Sequence, residues 1–171
     1  MERRGLIIVH TGEGKGKTTA ALGLAIRAFG AGLRVLILQL IKGQRRSGEL
    51  AALNALGIDV RQLGLGFVTQ ENFAEQKKSA RAAIDLARRE ILSGAWDLIV
   101  FDEINYAVKF GLLSATELLE LIKIRPPQMH LVFTGRDALP ELIDAADLVT
   151  EMKLIKHPFQ QGIAAQSGIE F

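Results

Sequence analysis

The chain has 171 residues, 49% hydrophobic and 23% charged, enough apolar material for one buried core and far from the composition of a disordered segment. With 21 basic against 19 acidic residues the formal net charge is only +2, which leaves no basic footprint for nucleic acid. Cysteine is absent, so disulfides, thiolate metal sites and thiol nucleophiles are excluded.

In chain order, the first apolar run is Leu6–His10, too short for a signal peptide or a membrane span, so a cytoplasmic protein without membrane contact is expected. A glycine-rich turn follows, then a helix over Lys17–Gly30 that is apolar on nearly every side and predicted to be buried. Strands are predicted at Leu33–Ile41 and Ile58–Leu63. A helix from about Asn72 to Gly94 places Ala80, Ile84, Ala87 and Ile91 on one face. Next come a strand at Leu98–Phe101 and a helix at Ser114–Lys123, opened by a Ser cap and stopped before Arg125-Pro126-Pro127. Strand Met129–Thr134, helix Asp137–Ala146 and strand Leu148–Leu154 complete the pattern, and the tail from Lys156 reads as a loop. Alternating strands and helices predict a single α/β domain over residues 1–171, with a mostly parallel central sheet flanked by helices.

Two motifs carry chemistry. Thr11-Gly12-Glu13-Gly14-Lys15-Gly16-Lys17-Thr18-Thr19 lies between a strand and a helix, the context of a phosphate-binding loop. Its glycines let backbone N–H groups point inward, and the helix N-terminus adds positive potential. Lys17 is expected to neutralise phosphate oxygens and the Thr18 hydroxyl to ligate Mg²⁺. The usual spacing would put the first glycine at position 11, where this chain has Thr11; counted from Gly12 the loop is one residue short. A shorter loop cannot wrap phosphates as ordinary kinases do, which argues against phosphoryl transfer. The second motif is the strand Leu98–Phe101 ending in Asp102-Glu103, expected to lie beside the first strand and to bring its carboxylates to the Mg²⁺ site.

These motifs alone predict binding of a nucleoside triphosphate. A wider set of segments resembles the bacterial corrinoid adenosyltransferases of cobalamin biosynthesis: Gly12 through Ala21, Gln39-Leu40-Ile41-Lys42-Gly43, Gly48-Glu49, Gly66-Phe67 and Asp102-Glu103. Later segments match too: Arg125-Pro126, Thr134-Gly135-Arg136, Ala146-Asp147, Lys156-His157 and Gly162 to Ile169. The resemblance covers nearly the whole chain in order. It implies a RecA-like P-loop domain, a homodimer, and MgATP held in reverse along the loop with its 5′-carbon towards a corrinoid. The resemblance makes Lys17 and Arg136 the catalytic cations. It gives nucleotide or corrinoid contacts to Gly12, Glu13, Gly14, Lys15, Gly16, Thr18, Thr19, Lys42, Phe67 and His157, and Mg²⁺ to Thr18 and Glu103 with Asp102 in support. The implied reaction moves the 5′-deoxyadenosyl group of ATP to the cobalt of a cob(I) corrinoid and releases triphosphate. A reduced flavoprotein is the implied electron donor. Cob(I) is itself a strong nucleophile, so the protein needs no serine, cysteine or general base. His10, His130, Trp96 and Tyr106 are read as packing residues.

Two rival readings stay open on the residues alone: a phosphotransferase or ATPase of another kind, and a nucleotide-gated regulatory module without chemistry. The chain also departs from the family pattern at one place. The matching segment usually reads Gly-Phe-Thr-Trp-Glu-Thr-Gln, with two aromatics pressed on the corrin face that the lower ligand would occupy. Here it is Gly66-Phe67-Val68-Thr69-Gln70-Glu71-Asn72, with Thr69 in the Trp position. Either Phe73 or a partner subunit replaces that wedge, or the substrate carries no lower ligand. With only five residues before the first strand, no N-terminal extension of the kind some members fold over the corrinoid is expected.

Overall fold

Parallel strands need a crossover between them, usually a helix, and every pairing in this sheet is parallel. The computed structural model describes residues 4–43 and 47–170. Within them the order is β1 (Ile7–Thr11), α1 (Lys17–Gly30), β2 (Val35–Gln39), α2 (Gly48–Leu56), β3 (Asp59–Gln62), α3 (Phe73–Leu92), β4 (Leu98–Asp102), α4 (Ile104–Lys109), α5 (Ala115–Lys123), β5 (His130–Thr134), α6 (Pro140–Ala145) and β6 (Leu148–Glu151). The strands lie in the sheet as β3-β2-β4-β5-β1-β6. Both faces are covered, so β1, β2 and β4 are continuous buried apolar runs rather than alternating ones.

Two apolar clusters sit on the two faces. One joins Val9, Leu36, Phe101 and Phe133 to Ala80, Ile84, Ala87 and Ile91 of α3 and to Leu118 and Leu121 of α5. All four α3 positions expected on one face are buried there. The other places Ala21, Ala25 and Ala28 of α1 against Ile8, Val35, Ile37 and Val100. The expectation that α1 is buried all round does not hold: only that alanine row is buried, while Ile26 and Phe29 are 44% and 37% exposed. Alanines let the helix approach the sheet closely; Leu22 and Leu24 pack at the edge of that cluster, while Ile26 and Phe29 are exposed.

α5 opens as expected, with a full capping box: Ser114 Oγ accepts from Glu117 N–H while Glu117 reaches back to Ser114 N–H. The predicted strand at Leu33–Ile41 shortens to β2, and that at Leu148–Leu154 stops at Glu151, where the chain leaves the sheet to cross the phosphate loop. The last helix begins at Pro140 rather than Asp137, with Pro at its start, where a missing N–H costs nothing. α2, α4 and a 3₁₀ turn at Pro158–Gln161 were not anticipated. No helix among the described residues is long and apolar enough to cross a membrane.

The order of strands corrects one expectation. β4 does not lie beside β1; β5 stands between them. Any contact between the phosphate loop and Asp102 must therefore be made across the tip of β5.

Candidate functional site

At the carboxyl end of β1 the chain turns through Gly12 and Gly16, whose φ values of 93° and 108° are left-handed and open to glycine. At Gly12 a Cβ would stand 2.5 Å from the Met152 carbonyl oxygen, so no side chain fits. Gly16 caps α1 without a side-chain hydrogen bond, so no cap side chain takes the first-turn N–H groups. Lys17 Nζ donates to the Gly12 and Gly14 carbonyls at 2.7 and 2.6 Å, folding its ammonium over the loop. Burial first, and then the neighbouring Arg136, lowers the Lys17 pKa from its ordinary value. Arg136, just beyond the tip of β5, forms an ion pair with Glu13 at 2.9 Å. Lys17, Arg136 and Glu13 are thus brought together at the loop.

The second half of the site is a carboxylate corner. Asp102 ends β4 fully buried, and its carboxylate accepts from Thr18 Oγ1 and Thr134 Oγ1 at 2.8 Å each and from Gln39 Nε2 at 3.2 Å. Lys42 Nζ lies 3.5 Å from the same carboxylate and 3.1 Å from Glu49. Burial works against the Lys42 ammonium, but Asp102 and Glu49 outweigh it and hold its pKa above the ordinary value. Lys42 therefore serves the carboxylates rather than standing over the loop. Glu103 takes a left-handed backbone at φ 64°, uncommon for a residue with a Cβ, and its N–H donates to Thr134 Oγ1 at 2.8 Å. Burial, and next the Asp102 charge, push the Glu103 carboxyl up to about 7, more than Lys42 and Lys17 pull it down.

Thr134 is the residue that sequence reasoning missed as a functional group. Its hydroxyl accepts from the Glu103 N–H and donates to the Asp102 carboxylate, tying the tip of β5 to the end of β4. It belongs to a polar row across the sheet. Gln62 donates to Gln39 at 3.1 Å, Gln39 donates to Asp102, and Thr134 follows, with His10 and Thr150 in register beyond it. A polar residue ending each buried strand was the available signal, but only the register lines them up. His10 is a buried member of that row; burial lowers its pKa, and its ring nitrogens have no partner among the described residues.

Thr18, Asp102 and Glu103 fit a magnesium ion. Mg²⁺ is usually held by one or two carboxylates together with phosphate oxygens and waters rather than by a cage of protein ligands. Among the described residues no three or more His, Cys, Asp or Glu gather to make such a cage. The upward pressure on Glu103 is what an added divalent charge would relieve.

The family model described as ATP:corrinoid adenosyltransferase BtuR/CobO/CobP matches residues 3–171. This chain belongs to that family. Among its relatives, a corrinoid adenosyltransferase of Pseudomonas aeruginosa is 42% identical over 174 residues, covering 99% of this chain and 85% of its own length. A corrinoid adenosyltransferase of Escherichia coli K12 is 36% identical over 171 residues, covering 99% and 87%. Among solved structures, the flagellar accessory protein FlaH from Methanocaldococcus jannaschii superposes with a TM-score of 0.57 at 16% identity, over 87% of this chain and 71% of that one. That likeness shows a shared fold and nothing finer.

In this adenosyltransferase-family chain the segment 64–73 forms an outer rim. Phe67 is 83% exposed, while its carbonyl accepts from Asn72 Nδ2 at 2.9 Å. Thr69, where the family pattern has Trp, exchanges hydrogen bonds with Asn72: Thr69 N–H to Asn72 Oδ1 at 2.8 Å and Asn72 N–H to Thr69 Oγ1 at 3.3 Å. Val68, Thr69, Gln70, Phe73 and Phe110 line an open apolar hollow of about 420 Å³. His157 caps the 3₁₀ turn, its Nδ1 accepting from Phe159 N–H at 3.1 Å, so its visible role is structural. Trp96 and Tyr106 are packing residues: the indole N–H reaches Glu90 at 2.6 Å, and Tyr106 stacks on Phe110 at 5.6 Å.

Proposed function

We propose that this chain transfers the 5′-deoxyadenosyl group of MgATP to the cobalt of a cob(I) corrinoid and releases intact triphosphate. The observation that carries the reading is the shortened loop with Lys17 folded over it, joined by Thr18 to a buried Asp102, in a chain of the ATP:corrinoid adenosyltransferase family. In the reaction the cobalt electron pair forms a bond to the 5′-carbon while the bond from that carbon to the triphosphate oxygen breaks. The leaving triphosphate gathers negative charge. Lys17, Arg136 and the α1 N-terminus would stabilise it, and Lys15, Gly12, Gly14 and Gly16 would shape its cradle. Bound at Thr18, Asp102 and Glu103, Mg²⁺ would supply further charge neutralisation. No general base is needed, and a kinase reading finds no support in the short loop.

The corrinoid would lie against the exposed rim at Phe67. Thr69 is committed to its turn with Asn72 and supplies no apolar wedge, so a corrinoid without a lower ligand is the favoured substrate; Phe73 beside it is the alternative source of the wedge. A reduced flavoprotein in the cytoplasm would deliver cob(I). A homodimer is proposed as well: β6 pairs with β1 on one side, and its Leu148 and Val149 are exposed. The deciding experiment supplies MgATP and chemically reduced corrinoid and follows the visible spectrum and the phosphate products. Adenosylcorrinoid with one equivalent of triphosphate is expected. ADP and phosphate as stoichiometric products would overturn the reading.

A further inference from the structure

The phosphate loop in this structure is closed by the chain's own acceptors. Arg136 is paired with Glu13, Lys17 with two loop carbonyls, and the Gly14 N–H with the Met152 carbonyl at 2.6 Å. The remaining loop cation, Lys15, is ion-paired with Glu170 at the far end of the sequence. Those two residues are 155 positions apart. The segment between β6 and Glu170 is laid against the loop at both ends. Met152 N–H donates to Thr11 O at 2.8 Å where it begins, and Glu170 reaches Lys15 where it finishes. A Cβ on Gly14 would come within 2.8 Å of Lys153, so this cover is in van der Waals contact with the loop backbone.

Glu170 is well placed to act as an anion. Its side chain is 19% exposed against 47% for Lys15, and the Lys15 contact, then the more distant His157, holds its carboxyl below the ordinary range. Its own backbone N–H is anchored to the Gln166 carbonyl at 2.8 Å, so the carboxylate is presented from a turn rather than from a free end.

We propose that Glu170 is a phosphate surrogate: its carboxylate seals the loop through Lys15, and a triphosphate entering the loop displaces it and lifts the C-terminal cover. The proposal rests on the reading of this loop as the triphosphate site. The physical reason is like-charge repulsion. A triphosphate in the cradle brings several negative charges next to Lys15, and two anions crowded on one ammonium disfavour each other. Lys15 and Glu170 are partly exposed, so their pair is weak and exchangeable, the property a displaceable seal requires. The Met152 contacts, made by backbone within the extension of β6, form the hinge side. The cover carries Ile155 and Phe159, 80% and 79% exposed, so lifting it re-aims apolar surface beside the loop mouth.

The test uses inorganic triphosphate with Mg²⁺, which fills the cradle without corrinoid chemistry. Calorimetric titration of the full chain is compared with Glu170→Gln, Lys15→Gln and the double variant, and amide hydrogen exchange is followed across residues 153–170. Glu170→Gln is expected to bind triphosphate about two- to fivefold more tightly, the range an exposed ion pair supports. That gain is expected to vanish when Lys15 is already Gln, and triphosphate is expected to speed exchange in the tail of the wild type. Weaker or unchanged binding by Glu170→Gln, or slower tail exchange on adding triphosphate, overturns the proposal and makes Glu170 a simple anchor. If wild type and Glu170→Gln both fail to bind triphosphate, the loop assignment falls and the proposal with it. Tight wild-type binding without the Glu170 effect overturns the surrogate alone.

Discussion

The corner at the tips of β1, β4 and β5 and the rim at 64–73 are held together in opposite ways. In the corner, side chains from several elements converge: the buried Asp102 alone is fixed by buried Thr134 and Gln39 and by half-buried Thr18 and Lys42. In the rim, local bonds of Asn72 and Gln76 to nearby carbonyls hold the backbone, and Phe67 projects outward. On the proposed function, the difference matches what each ligand demands. A polyphosphate and a small cation tolerate little displacement of charge, so their ligands belong on rigid strand ends. A broad apolar ligand is recognised by area, which a loop presents as well as a strand does.

The contrast predicts the largest losses in the corner. Lys17→Ala and Thr18→Ala each remove a charge-assisted phosphate contact or a metal ligand, worth about 2–4 kcal/mol, or roughly 30- to 1000-fold in kcat/KM for ATP. Raising Mg²⁺ is expected to rescue Thr18→Ala in part, since Asp102 and Glu103 remain. Steady-state kinetics checks this, and near-normal rates in both variants would break the assignment.

A middle effect is expected at Glu103, whose carboxyl lies near 7 in the folded chain against an ordinary 4.5. The folded state therefore binds a proton that the unfolded state has released. Without divalent cation, stability is greatest near and below about pH 4.5 as far as this group is concerned, and it falls as pH rises through about 7. The penalty above pH 7 is on the order of 3 kcal/mol. Urea midpoints at pH 6 and pH 8 are expected to show Mg²⁺ stabilising the chain more at the higher pH, with Glu103→Gln abolishing the difference. A cation effect equal at the two pH values would show that Glu103 does not meet the metal.

The rim is expected to respond least, and only towards the corrinoid. Phe67→Ala is expected to raise the corrinoid KM roughly 5- to 30-fold through about 1–2 kcal/mol of lost aromatic area while leaving the KM for ATP in place. The wild type is expected to use cobinamide-like corrinoids better than complete cobalamin when cob(II) is reduced on the enzyme, and Thr69→Trp to narrow that gap. Equal rates with both corrinoids in the wild type would show that Phe73 already supplies the wedge.

Much of this was legible in the sequence because contiguous residues share one backbone. The loop from Gly12 to Thr19 needs only its own glycines and the helix that follows. α3 announces itself through twenty residues of period, and α5 through its Ser114 cap. α2 is not legible in the sequence because Gly48–Leu56 is apolar with little asymmetry between faces, and α4 is not because six residues are too few to show a period. α1 reads as buried all round because its alanine row and its larger apolar residues carry the same apolar signal, and only packing separates them.

What the sequence determined by itself was the list of chemical groups: a phosphate loop one residue short, an acidic strand end, a Thr-Gly-Arg segment and a Thr in the place of Trp. The tertiary structure decided how those groups meet. Placing β5 between β4 and β1 makes Thr134 the bridge between the two acidic residues, and register alone brings Gln62, Gln39, Asp102, Thr134 and His10 into one row. Burial of the β4 tip beside Asp102 raises Glu103, and the return of the C-terminal segment over the loop gives Lys15 its partner. Local backbone preference acts over a few residues. The contacts that tune charge here join strands and tails far apart in the chain, and they exist only once the sheet order has been chosen.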